Sequence, residues 1–220
     1  MEIPKCALCK TKPCTEGITD EKFLPNFCPI KNHKHLIPDI IEKYKSKNIN
    51  NFYINSVLTE KKAYNLSALK EGKTIPVSPR IKEITTFAKR INAEKLGIAF
   101  CSGLSDEAER ASSILEGHGF QICSAVCTCG AIDKSALDIP SHYRLKKEND
   151  FEAACNPLLQ AEVLNVSETD FNIIIGLCVG HDMLFTQNSK APVTTLIVKD
   201  RFTGHNPVIS LYTQYHKNIR

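Results

Sequence analysis

Two hydrophobic patterns run along the chain. Between residues 36 and 93 apolar positions recur at helical spacing. IPDIIEKYKSK and NNFYINSVLTEKKAYNLSALK carry this period up to Gly72. RIKEITTFAKRI then puts Ile81, Ile84, Phe87, Ala88 and Ile91 on one face, with Pro79 suited to the first turn and Ser78 to the cap. From Lys95 the pattern changes to short apolar runs without alternation. KLGIAF, FQICSAV, FNIIIGL and TTLIVKD predict four strands. Between them, Ser105-Asp106-Glu107 opens a capped helix that runs to about Glu116 and stops at Gly117 and Gly119. CNPLLQAEVLN gives a short helix beginning near Pro157, residues 130–150 read as irregular, and NPVISLYTQ reads as a last helix or strand. Strand and helix alternate, and the strand runs are of the fully buried type. This predicts an α/β fold, a mainly parallel, Rossmann-like sheet with helices on both faces.

Residues 1–30 fit neither pattern. They hold Cys6, Cys9, Cys14 and Cys28 among Pro4, Pro13, Gly17, Pro25 and Pro29, and they have few apolar residues from which to build a core. Such a segment needs a cross-link, and a metal is the economical one in a reducing compartment. Three parts are therefore expected. They are a cysteine-rich metal knuckle at 1–30, a helical segment packed on the core at 31–93, and an α/β domain at 94–220.

Composition changes this picture in two places. The chain has 220 residues, 42% hydrophobic and 24% charged, which excludes wholesale disorder. No apolar run is long enough to span a bilayer and the N-terminus has no apolar signal core, so a soluble cytoplasmic protein with no membrane contact is expected. Ten cysteines are then too many for chance, and a disulfide framework is the lesser expectation for a chain of this size in that compartment. Residues 1–95 carry 18 Lys and Arg against 10 Asp and Glu, while residues 96–220 carry 10 against 14. The basic half reads as solvated helix faces, because it contains no run of five like charges; nucleic acid is not an expected partner.

Cys6-x2-Cys9-x4-Cys14-x13-Cys28 is the strongest motif. A C-x2-C pair lets two thiolates chelate one ion from a tight turn, and two more cysteines complete a tetrahedral set. Zinc and a four-iron cluster both take four thiolates, and Cys28-Pro29 resembles the dipeptide that closes some iron–sulfur runs, so the metal stays open. His33 and His35 lie close enough in sequence to substitute.

A second set gathers by topology. Cys101, Cys127 and Cys178 follow the ends of three predicted strands, and parallel sheets collect functional groups beyond their carboxyl ends. Cys155 precedes Asn-Pro at a predicted helix start, where the macrodipole favours a thiolate. His181, three residues after Cys178, is a further ligand or proton donor, with Asp182 placed to orient it. His205 precedes a second Asn-Pro, and Asp200 and Arg201 finish the fourth strand as candidates for substrate binding. Cys123, inside its strand, reads as packing, and Cys129 is left open.

The runs CNPLLQAEVLN, TDFNIIIGLCVGHDMLF and SKAPVTTLIVKDRFTGHNP resemble the family called domain of unknown function 1847, whose members are described as predicted metal-binding proteins of bacteria and archaea. The similarity extends through RIKEITTFAKRINAEKLGIAFCSGL and the CALCKTKPC…FCP segment, and is weakest over residues 31–75. It implies metal ligation by Cys6, Cys9, Cys14 and Cys28, and by Cys101, Cys127, Cys155, Cys178, His181 and His205. Where family members tend to have Cys-Lys-Val-Gly, this chain has Cys127-Thr128-Cys129-Gly130, so the ligand at that place is Cys127 or Cys129.

Three functions are consistent with these residues. The first is a metal-binding, redox-linked protein with zinc or an iron–sulfur cluster at an N-terminal four-cysteine site, a second thiolate site at the strand ends, and an electron-transfer partner. The second is a non-enzymatic metal carrier or interaction module. The third is an enzyme with Cys155 or Cys178 as nucleophile and His181 as base. Nucleotide chemistry ranks last, because the chain has no phosphate-binding loop signature and Cys-Ser-Gly-Leu-Ser after the first strand is not a dinucleotide fingerprint.

Overall fold

A computed structural model describes residues 2–147 and 150–213. The chain divides into two compact units, 1–58 and 59–220. In the first, three 3-10 turns (Cys6–Leu8, Pro13–Glu16 and Glu21–Phe23) lead to α1 (Pro29–Asn32), a further turn at Lys34–Leu36, and α2 (Ile37–Lys45). α3 (Lys47–Lys62) follows and runs across the division. Only Pro13, Leu24 and Cys28 are buried in residues 2–58, so this unit has almost no apolar core of its own.

The second unit carries the remaining elements. α4 (Leu66–Lys70) is capped by the Asn65 side chain, which accepts from the N–H groups of Ser67 and Ala68. α5 (Arg80–Arg90) buries Ile84, Thr85 and Ala88. The α/β alternation is then β1 (Lys95–Phe100), α6 (Ser105–Gly117), β2 (Gln121–Val126), α7 (Pro157–Val166), β3 (Phe171–Ile175), α8 (His181–Asn188) and β4 (Val193–Ile197), closed by α9 (Val208–Tyr212). All four strands pair in parallel, in the order β2-β1-β3-β4. Right-handed crossovers in that order require α6 on one face and α7 with α8 on the other, and α7 and α8 touch each other. Every residue of β3 is buried, as expected of a central strand covered on both faces.

Order reverses between β1 and β3: the chain leaves β1 toward β2, and leaves β3 toward β4. A crevice opens outside the carboxyl ends of two such strands. At the centre of β1, Gly97 is required by packing. A Cβ there would lie 1.9 Å from Asn172 Oδ1, which accepts from Thr169 Oγ1 (2.8 Å), and 2.9 Å from a Leu164 methyl.

Several local expectations change. Pro79 itself is the N-cap of α5, in extended conformation, and Ser78 does not cap it. Ser105 is the first residue of α6 and not its cap; its hydroxyl turns back to the Ser102 carbonyl (2.8 Å). The long helical reading before Gly72 breaks at Ser46 and again around Tyr64, which bridges to Pro76. β2 and β3 stop at Val126 and Ile175, and after β3 Gly176 adopts φ +66° against the Leu104 side chain. The last apolar run forms a helix, α9; Gln214, at the end of that reading, lies outside the described residues. No helix among the described residues is long and apolar enough to cross a membrane.

Candidate functional site: thiols at the carboxyl edge of the sheet

Four cysteines from four segments meet beyond the carboxyl edge. Cys101 directly follows β1, Cys127 directly follows β2, Cys178 comes shortly after β3, and Cys155 precedes α7. Cys101 and Cys127 are buried, while Cys155 and Cys178 are half-buried. Gln160, fully buried on α7, supports them from beneath. Its Nε2 donates to the carbonyls of Phe100 (3.2 Å) and Ala125 (2.7 Å), near the last positions of β1 and β2.

The loop between Cys127 and Cys155 is long, but its neck is closed. The Asn156 N–H donates to the Cys127 carbonyl (2.7 Å) and the Ala154 N–H to the Ile132 carbonyl (2.8 Å). Farther out, Asp133 pairs with Arg144 and accepts from the Glu152 N–H, and Glu152 pairs with Lys134. The Asn156 side chain caps α7 by accepting from the Leu159 N–H (3.0 Å), so Cys155 is held just outside a helix N-terminus and against Cys127.

The sulfurs are met by positive groups. The Ser102 N–H points at Cys127 Sγ (3.3 Å), with the Ser102 hydroxyl at 3.8 Å. Lys199 Nζ lies 2.6 Å from Cys101 Sγ, and Arg201 Nη2 lies 3.1 Å from Cys178 Sγ. Lys199 passes over Gly103, where a Cβ would stand 3.4 Å from its ammonium. Cys127 is drawn down from the ordinary thiol range to about 5, chiefly because the Cys155 thiol donates to its sulfur. Burial opposes this, while Ser102 and Cys101 reinforce it. The same hydrogen bond, burial, and the charges of Cys127, Cys178 and Cys101 hold Cys155 protonated. The pair therefore shares one proton, with the negative charge on Cys127. Burial and then the Cys127 charge push Cys129 up, so it is the less thiolate-like of the two cysteines in Cys127-Thr128-Cys129. Arg201 is held more firmly protonated by its contact with Cys178.

The other strand-edge candidates do different work. Asp200 accepts from the N–H groups of Phe202 (2.9 Å) and Thr203 (3.0 Å). His205 Nδ1 accepts from the Asp200 N–H (3.1 Å), and the His205 backbone N–H donates to the Asp200 carbonyl (2.8 Å). These two residues thus brace the loop that presents Arg201. His181 opens α8 with its backbone N–H on the Cys178 carbonyl (3.0 Å). Asp182 does not orient His181; its carboxylate accepts from the Gly180 and Met183 N–H groups. Cys123 packs against the core, as its place in a strand predicts. Ser102, Gln160 and Lys199 escaped sequence reasoning, because Ser, Gln and Lys carry no motif by themselves.

In the first unit, Cys6, Cys9, Cys14 and Cys28 line one small cavity of about 120 Å³, together with Lys12, Pro13, Pro25 and Phe27. Tight turns bring them there. The Cys9 N–H donates to the Cys6 carbonyl (3.0 Å), the Cys28 N–H to the Pro25 carbonyl (2.9 Å), and Lys12 and Gly17 take positive φ around Cys14. His33 and His35 face each other, with ring centroids 6.3 Å apart, and do not line this cavity. Among the described residues, no three His, Cys, Asp or Glu side chains are drawn together as a finished ligand set. The donor chemistry of the cavity nevertheless fits a tetrahedral metal or cluster, since four soft sulfur donors surround one space.

The comparisons agree with the resemblance of the sequence motifs. The model of the family described as "Protein of unknown function (DUF1847)" matches residues 28–196, a span that takes in Cys28 and all four strand-edge cysteines. An uncharacterized protein of Methanocaldococcus jannaschii is 40% identical over 214 residues, covering 96% of this chain and 95% of that protein. No solved structure matches. The chain belongs to the DUF1847 family of proteins of unknown function.

Proposed function

We propose that this is a metal-binding, redox-linked protein with two thiolate sites. The first is the N-terminal module, where Cys6, Cys9, Cys14 and Cys28 would hold zinc or an iron–sulfur cluster and supply the cross-link that the coreless segment needs. The second is the crevice at the carboxyl edge of a Rossmann-like sheet. The observation that carries the reading is there: Cys155 and Cys101 hydrogen-bond to the Cys127 sulfur, Cys178 is near enough for its charge to act on Cys155, and the group is met by Lys199, Arg201 and the Ser102 N–H. A metal or cluster would supply electron transfer or Lewis acidity, and donors to its sulfurs and nearby cations are the levers by which a protein tunes such a centre. Arg201 would also receive an anionic partner or substrate, and His181 and His205 stand at the same edge as further ligands or proton donors.

The test is metal analysis of protein purified without oxygen, together with its visible absorbance. Iron, acid-labile sulfide and a broad brown absorbance are expected if either site holds a cluster; zinc without colour is expected if both are zinc sites. Cys178→Ser should lose metal from the second site only. Metal content equal to that of the parent would sink the strand-edge proposal, and a metal-free parent would sink both.

The cysteine-nucleophile alternative, expected at Cys155 or Cys178 with His181 as base, moves to Cys127: the Cys155 thiol stays protonated and donates to the Cys127 sulfur, which Ser102 also holds as thiolate. In metal-free, reduced protein it predicts an ultraviolet thiolate signal with a midpoint near pH 5 that Cys127→Ser abolishes. A signal that survives the substitution would remove this reading.

A further inference from the structure

We propose that Cys127 and Cys155 form a reversible disulfide on contact with a low-molecular-weight disulfide, and that this bond empties the strand-edge site. The inference rests on the metal reading of that site and adds a means of release. All ten cysteines are free thiols in this structure. Two of them are already in contact, since the Cys155 thiol donates to the Cys127 sulfur. Their backbones meet as well: the Asn156 N–H donates to the Cys127 carbonyl at 2.7 Å. The Asn156 side chain caps α7 on the other side, which fixes Cys155 in place. A disulfide needs close backbones and side chains that face each other. Both conditions hold here, so the bond asks for rotation of two side chains and no displacement of α7. Other pairings are worse placed. Cys101 also touches the Cys127 sulfur, but the Lys199 ammonium holds it at 2.6 Å, and the Cys178 sulfur is engaged by Arg201 at 3.1 Å.

Two exchanges make up the step. One thiol of the pair attacks the small disulfide, whose S–S bond breaks. Half of the reagent stays on the protein as a mixed disulfide, and the other half leaves as a thiol with the displaced proton. The second thiol of the pair then attacks the protein sulfur of the mixed disulfide. The Sγ–Sγ bond forms, and the remaining half of the reagent leaves as a thiol with the second proton. The pair is oxidised by two electrons, and the small disulfide is reduced to two thiols. A metal is held by thiolate, and a sulfur in a disulfide has no such charge to give. The bond would leave the site with Cys101 and Cys178, two sulfurs where zinc or a cluster takes four ligands.

The experiment is a glutathione titration of the full chain as purified without oxygen. Samples are quenched in acid, free thiols are blocked, and disulfides are mapped by tandem mass spectrometry, while released metal is measured in the filtrate. A Cys127–Cys155 bond is expected to rise from about a tenth to about nine-tenths of the chains, over roughly a hundredfold rise in oxidised glutathione relative to the square of the reduced form. Reduced glutathione should reverse it. Bound metal should fall, in step with the bond, to the level that Cys178→Ser holds before oxidation; bonds within the Cys6–Cys28 module are counted apart by the same map. No bond, a bond that pairs Cys127 with Cys101 or Cys129, or a bond that forms while the metal stays would overturn the proposal. Failure of the metal reading looks different. The parent would then match Cys178→Ser in metal before any glutathione is added, which overturns the release, while the map still decides the bond.

Discussion

Gln160→Met tests whether one buried side chain holds the strand-edge crevice in shape. Gln160 is fully buried, and its two donors meet the carbonyls of Phe100 and Ala125. Methionine keeps the length and volume of the side chain and removes the donors. Each buried carbonyl left without a donor costs about 1–3 kcal/mol. The substitution also removes Oε1, which is buried without a partner, and this returns about 1–3 kcal/mol. The balance is a destabilisation of about 1–3 kcal/mol. With a urea slope of about 2 kcal/mol per molar, the midpoint should fall by roughly 0.5–1.5 M. Amide exchange localises the effect: the Ser102 N–H, which faces the Cys127 sulfur, should exchange faster in the variant than in the parent. A midpoint that stays or rises would refute the reasoning, because it would mean that the strand ends do not need the Gln160 donors.

Gly97→Ala should be severely destabilising, by about 3 kcal/mol or more, since the new methyl overlaps Asn172 Oδ1 and displaces the amide, which accepts from Thr169 through Oδ1 and donates to Ser189 through Nδ2; a variant with the parent's thermal midpoint would show that this network yields freely. Asn156→Ala should cost about 1 kcal/mol by uncapping α7, while Asn156→Asp should retain most of the stability, both read by urea unfolding. Ser135 and then the Glu152 N–H hold Asp133 below the carboxylate range, and Lys134 does the same to Glu152. Both are more acidic folded than unfolded, so their contribution is complete above the unfolded values near 3.8 and 4.5 and is lost as pH falls through the lower folded ones. Asp133→Asn should therefore flatten the acid limb of a stability-against-pH curve; an unchanged limb would place the acid sensitivity elsewhere.

The sheet was legible because of where it lies in the fold. KLGIAF and FNIIIGL are covered on both faces, so neither face needs polar residues, and the runs are continuous and apolar. The convergence of Cys101, Cys127 and Cys178 was legible for a related reason: parallel strands all end at the same edge. Caps were less legible, because Ser78 and Ser105 have cap-type side chains whose role depends on backbone angles that the sequence pattern does not encode. Lys199 was passed over for its neighbours Asp200 and Arg201. Nothing in a lone lysine foretells an ammonium over Gly103 and 2.6 Å from a cysteine nearly a hundred residues away in the chain. The same holds for Gln160, whose helix position reads as ordinary until the strand ends lie above it.

The amino-acid sequence by itself determined the four strands, the helices α6 and α7, a mainly parallel sheet, and which edge Cys101, Cys127 and Cys178 would share; it carried no sign of α8 and left α9 open between helix and strand. What it determined follows from hydrophobic period and from the one-way sense of strand–helix–strand crossovers, both local properties of the chain. Tertiary structure alone decided what each sulfur meets. Strand order β2-β1-β3-β4 places the chain reversal between Cys101 and Cys178, the closed neck of the 127–156 loop sets Cys155 on Cys127, and the return of β4 brings Lys199 and Arg201 over the site. The physical reason is range. Hydrophobic burial is non-directional and leaves a periodic trace in sequence, whereas a hydrogen bond or a charge contact depends on the relative placement of residues far apart in the chain.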